Sequence, residues 1–233
     1  MSVRYNGFFG RIANTVRIEV MEAGLADLGK DWRSEDVCSP YSRLYYVISG
    51  MGYLRTRDGE IHVLYPGRLY LIPNGLSYDY FCEDRLEKAY FHINVLLQDR
   101  LELFYGCKDY YELPIGAAAV ERMKGWIVSD RTEDFFHMQG EIYHAVAVFM
   151  KMAGVEKKVE RNYSEMVTRL FGLLPEVKVS VPMREMARSL NVSESTLAKR
   201  FRKETGMSIG DYRQQLAMSR ARQLLALGKL SVR

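Results

Sequence analysis

The chain has 233 residues, with 33 Lys and Arg against 29 Asp and Glu, and 48% of it is hydrophobic. That length can hold two small domains, each with its own core, and the composition is ordinary for a globular protein. No run approaches the ~18 apolar residues of a membrane span. The cysteines Cys38, Cys82 and Cys107 are odd in number and far apart, which argues against a disulfide framework or a CxxC zinc site.

The opening residues, MSVRYNGFFGRIANTV, lack the apolar core and cleavage site of a signal peptide, so a cytoplasmic location is expected. Short segments rich in Tyr, Val, Ile and Leu follow: 44–49, 52–57, 60–64, 69–73, 78–82 and 88–96. Gly50, Asp58-Gly59, Pro66-Gly67 and Asn74-Gly75 separate them at hairpin spacing. Strands this short and this dense predict a barrel or jelly roll over residues 1–105.

Gly67, Pro73 and Gly75 match the second motif of the cupin barrel, Gly-x5-Pro-x-Gly-x2-His, with Tyr78 at the histidine position. The segment 43–94 resembles that fold. The resemblance places Val37, Ser39 and Arg43 where metal cupins hold two His and a Glu. None of the four is a usual divalent-metal ligand and Arg43 would repel one, so a metal-free binding cup is expected, with no cofactor and no catalytic residues. Arg43, Tyr78, Tyr80, Tyr90 and His92 are the candidate effector-binding residues. The alternation of Tyr80, Tyr90 and His92 on strands read as neighbours lets each pair share a face. Aromatic rings with polar tips suit a sugar or related polar metabolite, and Arg43 would accept a carboxylate.

Residues 117–129 and 134–153 read as a helical hairpin within a segment 106–160. Phe135, Met138, Ile142, Val146 and Phe149 form an apolar stripe on its second helix. The stripe packs on the barrel, joins two copies of the chain, or does both. His137, Glu141 and His144 share one face at metal-compatible spacing, but a solvated surface face is the commoner reading. Residues 151–161, which include GVEKKVER, form a charged linker candidate.

The C-terminal part, 161–233, carries a helix-turn-helix pattern. Ala187 sits where two helices cross, Asn191 where a tight turn needs the left-handed conformation, and Leu197 where the second helix locks into the core. Pro182 is placed in the first turn of the leading helix. Ser193 is the cap and Gly206 the exit of the second helix, Glu194 to Thr205. Leu197 and Phe201 face inward; Ser195, Thr196, Lys199, Arg202 and Lys203 take the opposite side, and Arg200 is grouped with them as a DNA contact. Short hydroxyls at the start of such a helix suit base edges, and the later cations suit phosphates. Charge agrees: residues 160–233 hold 14 Lys and Arg against 7 Asp and Glu, a net +7, whereas the remainder holds 19 against 22, a net −3.

The stretch from Met183 to Gly228 resembles the first DNA-binding subdomain of AraC/XylS-type transcription regulators. The Ala187/Asn191/Leu197 frame carries the likeness, with Phe201, Thr205-Gly206, Ser208, Tyr212 and Ala221…Leu224-Leu225. Ala217 departs from it, since the family usually has Arg there. The resemblance implies an α+β chain with a cupin-like β-barrel, a helical hairpin linker and an all-α helix-turn-helix part with a long support helix. It further implies double-stranded DNA, a small-molecule effector such as a sugar, a second copy of the chain and RNA polymerase as partners, with no membrane. Family members carry two helix-turn-helix units. This sequence stops at Leu230-Ser231-Val232-Arg233, the expected first turn of the second, so operator binding is expected to be weak or absent. The alternatives are a cupin-type sugar-binding protein or isomerase, and a dimerising fragment without competent DNA binding.

Overall fold

The computed structural model describes residues 15–97, 101–160, 163–174 and 181–226. The expectations placed on the first residues and on Leu230 to Arg233 lie outside them. The chain divides after Glu160 into two compact units, a β-domain with its helical hairpin and a helical C-terminal unit.

The β-domain has nine strands: β1 (Val16–Leu28), β2 (Arg33–Cys38), β3 (Ser42–Gly50), β4 (Gly52–Thr56), β5 (Ile61–Leu64), β6 (Arg68–Ile72), β7 (Ser77–Phe81), β8 (Leu86–Leu97) and β9 (Tyr111–Pro114). They form two antiparallel sheets, ordered β1-β8-β3-β6-β9 and β2-β7-β4-β5. The six strands expected from the sequence are all present. Three others were not expected. In β1 and β2 charged residues dilute the apolar signal, and β9 lies inside the segment read as helical.

Tyr45, Val47, Leu54, Leu64, Tyr70, Ile72, Tyr78, Cys82 and Leu86 fill the space between the sheets. Leu44, Tyr46, Phe91 and Ile93 are fully buried on the other face of the five-stranded sheet, against which helix α1 (Ala117–Ile127) packs. Both faces of β3 are therefore covered, which is why its sequence, SRLYYVISG, shows no simple polar alternation. Gly50 ends β3 at φ 71°, and a Cβ there would fall 2.0 Å from the Arg85 carbonyl oxygen, so only glycine fits.

Helix α2 (Thr132–Met152) buries Ile142, Ala145, Val146 and Phe149. Phe135, expected on the same stripe, is 48% exposed, because it sits in the first turn, before the helix reaches its packing partners. The residues read as a charged linker are partly ordered: Lys151 and Met152 end α2, and Glu156–Lys158 form a 3₁₀ turn. There the Lys158 ammonium donates to the carbonyls of Leu103 and Tyr105, at 2.8 and 2.9 Å.

The C-terminal unit comprises α3 (Glu165–Leu173), α4 (Met183–Ser189), α5 (Glu194–Thr205) and α6 (Ile209–Ala226). The rings of Phe171, Phe201 and Tyr212 meet pairwise at 5.4–5.6 Å and form its aromatic centre.

Candidate nucleic-acid interface and ligand cup

Between α4 and α5 the chain turns through Asn191, whose φ is +55°. The Asn191 N–H donates to the Arg188 carbonyl and the Val192 N–H to the Ala187 carbonyl, both at 3.0 Å. Ala187 is buried, and Leu197 and Phe201 are fully so. Ser193 Oγ accepts the Thr196 N–H at 3.1 Å, and Gly206 ends α5 in the left-handed conformation. Thr205 braces that exit: its hydroxyl donates to the Phe201 carbonyl at 2.8 Å and accepts the Met207 N–H at 3.2 Å. Pro182 occupies the N-cap of α4 and not its first turn, since the helix begins one residue later than the proline signal placed it.

Ser195, Thr196, Lys199, Arg202 and Lys203 are all exposed on α5. The Thr196 hydroxyl lies 2.8 Å from that of Ser193, so the first turn is held by a pair of hydroxyls. Arg200 is exposed as well, and it also carries an ion pair. It lies toward the flank of the helix, where its Nε donates to Glu204 Oε1 at 2.9 Å, and Glu204 also accepts the Ser164 N–H at 2.8 Å. Glu204 thus links Arg200 to the start of α3. Single-residue spacing on a helix does not separate the centre of a face from its edge, and only the partner does.

In the β-domain, Val37 pairs with Tyr78 between β2 and β7, and the Arg43 guanidinium donates to Ser39 Oγ at 2.8 Å and Tyr45 Oη at 3.2 Å. The positions aligned with a cupin metal site do converge, but on a cation. The Arg43 carbon Cζ lies 5.5, 5.8 and 5.9 Å from the ring centres of Tyr41, Tyr78 and Tyr80. Tyr80 does not stand beside Tyr90 and His92 on a neighbouring strand. β7 and β8 belong to different sheets, so it lies on the opposite wall, stacked on Trp32 at 4.4 Å. Tyr90 and His92 form the rim with Tyr41: the Tyr90 hydroxyl donates to Glu22 at 2.9 Å, His92 Nδ1 lies 3.0 Å from the same carboxylate, and its ring stacks on Tyr41 at 4.6 Å. Burial, reinforced by the Arg43 charge, holds the His92 pKa below its ordinary value.

Lys88 was overlooked by the sequence reading. It is 3% exposed, and its amine lies 3.4 Å from the centre of the Tyr45 ring and 3.9 Å from that of Trp32. No carboxylate among the described residues pairs with it. Burial, and then repulsion from Arg43, push its pKa well below the usual lysine value. The signal was present, because Lys88, Tyr90 and His92 alternate on one strand and must share a face. Outside the cup, a depression of 540 Å³ lies beside Arg57, Glu60, His62 and Lys108 and mixes both charge signs. On α2, the His137 ring stacks on Trp126 at 5.5 Å, which gives that histidine a packing role.

Residues 186–233 match the family model of a helix-turn-helix domain. The Msm operon regulatory protein of Streptococcus mutans is 24% identical over 202 residues, covering 81% of this chain and 72% of its own. The fold is similar to that of ToxT from Vibrio cholerae in its unsaturated fatty acid bound form, with a TM-score of 0.51 and 12% identity over 98% of this chain and 85% of that one.

Proposed function

We propose that this chain, whose C-terminal part is an AraC-type helix-turn-helix domain, is a transcription regulator that reads DNA with α5 and is controlled by a small molecule held in the β-domain. The observation that carries the reading is the pairing of a left-handed Asn191 turn with the exposed row Ser195, Thr196, Lys199, Arg202 and Lys203. A capped helix N-terminus with two hydroxyls suits base edges in the major groove, and the cations that follow suit phosphates. The +7 charge of residues 160–233 supplies long-range attraction to a polyanion.

The effector is a sugar or related polar metabolite. The walls of the cup support this, because Trp32, Tyr41 and Tyr80 offer flat faces for C–H groups while Arg43, Tyr90 and His92 offer polar tips. ToxT was crystallised with an unsaturated fatty acid; a long alkyl chain needs a dry apolar channel, and the tyrosine-lined wall around Arg43 is poorly suited to one. Two copies of the chain associate through α2, where Phe136 is 67% and Tyr143 45% exposed on one face. Effector binding acts on transcription only by favouring one arrangement of the paired readers over another, and RNA polymerase is the partner through which a DNA-bound activator would work.

The test is selection of genomic DNA fragments by the purified chain beside a Lys199→Ala/Arg202→Ala variant. A motif enriched by the parent and lost in the variant is the expected result. Equal enrichment by both, or none by either, would overturn the reading of α5.

A further inference from the structure

The cup holds more positive charge and more hydrogen-bond donors than the β-domain satisfies. Arg43 Nε and the Tyr78 hydroxyl are buried without a hydrogen-bond partner among the described residues, and Tyr78 is only 3% exposed. The Arg43 hydrogen bonds among the described residues go to neutral hydroxyls, on Ser39 and Tyr45. The Lys88 amine lies over the rings of Tyr45 and Trp32, and no carboxylate among the described residues pairs with it. Arg43 donates to the Tyr45 hydroxyl while Lys88 lies over the ring of the same tyrosine, so one small ligand can reach the two of them. The nearby carboxylate, Glu22, sits at the rim with its side chain 58% exposed, and Tyr90 and His92 already engage it. An orphaned buried donor is costly, and a buried cation without a counterion is more so. A bound molecule that brings acceptors and a negative charge would satisfy all three groups at once.

We infer that the ligand of the cup is an anion, a ring-bodied metabolite whose carboxylate or phosphate seats on Arg43, Tyr78 and Lys88. This rests on the reading of the cup as the effector site and narrows it: a neutral sugar leaves both cations without a counterion. The guanidinium offers fixed donors to a planar or tetrahedral oxyanion, and the Lys88 ammonium adds a point charge. The aromatic residues around Arg43, Tyr41 and Tyr80, supply the apolar surface for the ring body.

The test uses the full chain carrying Lys199→Ala/Arg202→Ala, so that the basic face of α5 does not report anion binding. Thermal unfolding is followed with glucose, galactose, glucuronate, glucose 6-phosphate and inorganic phosphate, at one ionic strength set with chloride. Glucuronate, glucose 6-phosphate or inorganic phosphate raises the midpoint and the neutral sugars do not. Lys88→Met weakens that anion by ~10-fold or more, the scale of one charge-assisted hydrogen bond. Tyr78→Phe, which removes only the orphaned hydroxyl, weakens it by roughly 5-fold. Anion shifts of the same size in both variants, or shifts by glucose or galactose alone that Trp32→Ala abolishes, overturn the anionic ligand and leave the cup intact. No shift from any of the five overturns the cup as well. Carboxylate and phosphate sources separate by whether glucuronate or glucose 6-phosphate binds more tightly.

Discussion

The Ser42 hydroxyl donates to the buried carboxylate of Glu102 at 3.2 Å while accepting the Asn74 N–H at 3.0 Å. The same Glu102 oxygen accepts the Val95 N–H at 3.3 Å, and its other oxygen is buried without a partner among the described residues. One side chain thereby joins β3, the turn after β6, β8 and the segment after it. Burial raises the Glu102 pKa from 4.5 to about 7. Between those values the folded protein binds the extra proton, so stability of the β-domain falls as pH rises from 4.5 to about 7. At 1.36 kcal/mol per unit the loss is about 3 kcal/mol. Glu102→Gln keeps the acceptor for Ser42 and Val95 and removes this slope. Urea unfolding at pH 5 and pH 7.5 checks it by Trp32 and Trp126 fluorescence, and an unchanged slope in the variant would contradict it.

Lys88→Met stabilises the unliganded protein at neutral pH by about 1–3 kcal/mol, since it replaces an unpaired buried amine with an apolar chain of similar length. Because the folded pKa of Lys88 is lowered, the unfolded chain binds more protons between the folded value and the ordinary 10.5. Stability of the parent therefore rises with pH through that window, and its deficit against the variant narrows. Thermal melts at neutral and alkaline pH measure the two differences.

An anion in the cup raises the Lys88 pKa, and proton uptake accompanies binding at any pH between the free and bound values. The groups facing the Lys88 amine are Tyr45 and Arg43 from β3, Trp32 before β2 and Cys82 after β7. None of the groups facing Lys88 among the described residues is a carboxylate, so an arriving anion is its first counterion and favours the ammonium form. Calorimetry in two buffers of different ionisation enthalpy reads this as a buffer-dependent heat, and the dependence disappears in Lys88→Met.

On α5, Lys199→Ala and Arg202→Ala each flatten the salt dependence of DNA binding by about one phosphate contact. Arg200→Ala instead lowers the stability of the helical unit by about 0.5 kcal/mol, through loss of the Glu204 pair, and leaves the salt slope unchanged. Fluorescence anisotropy at several chloride concentrations separates them, and a slope change in Arg200→Ala would return that residue to the interface.

At the turn, Asn191→Gly is nearly neutral while Asn191→Val costs roughly 1–2 kcal/mol, because a β-branched residue strongly resists φ +55°. Circular dichroism melts of the two variants compare them directly.

Local chemistry made much of this chain legible from its sequence. The turn at Asn191, the cap at Ser193, the exit at Gly206 and the inward Leu197 and Phe201 depend on residues within one or two helical turns, so spacing alone places them. The hairpin glycines bound six strands for the same reason. The tertiary structure alone assigned partners across long separations. It set β7 against β8 on opposite sheets, moving Tyr80 across the cup from Tyr90 and His92. It brought the Ser164 N–H onto Glu204, 40 positions away. It also enclosed Lys88 between Trp32 and Tyr45, which are 56 and 43 positions away in the chain. A lysine in a sequence reads as a solvated charge; only the rings folded around it decide that it is buried with no carboxylate partner among the described residues.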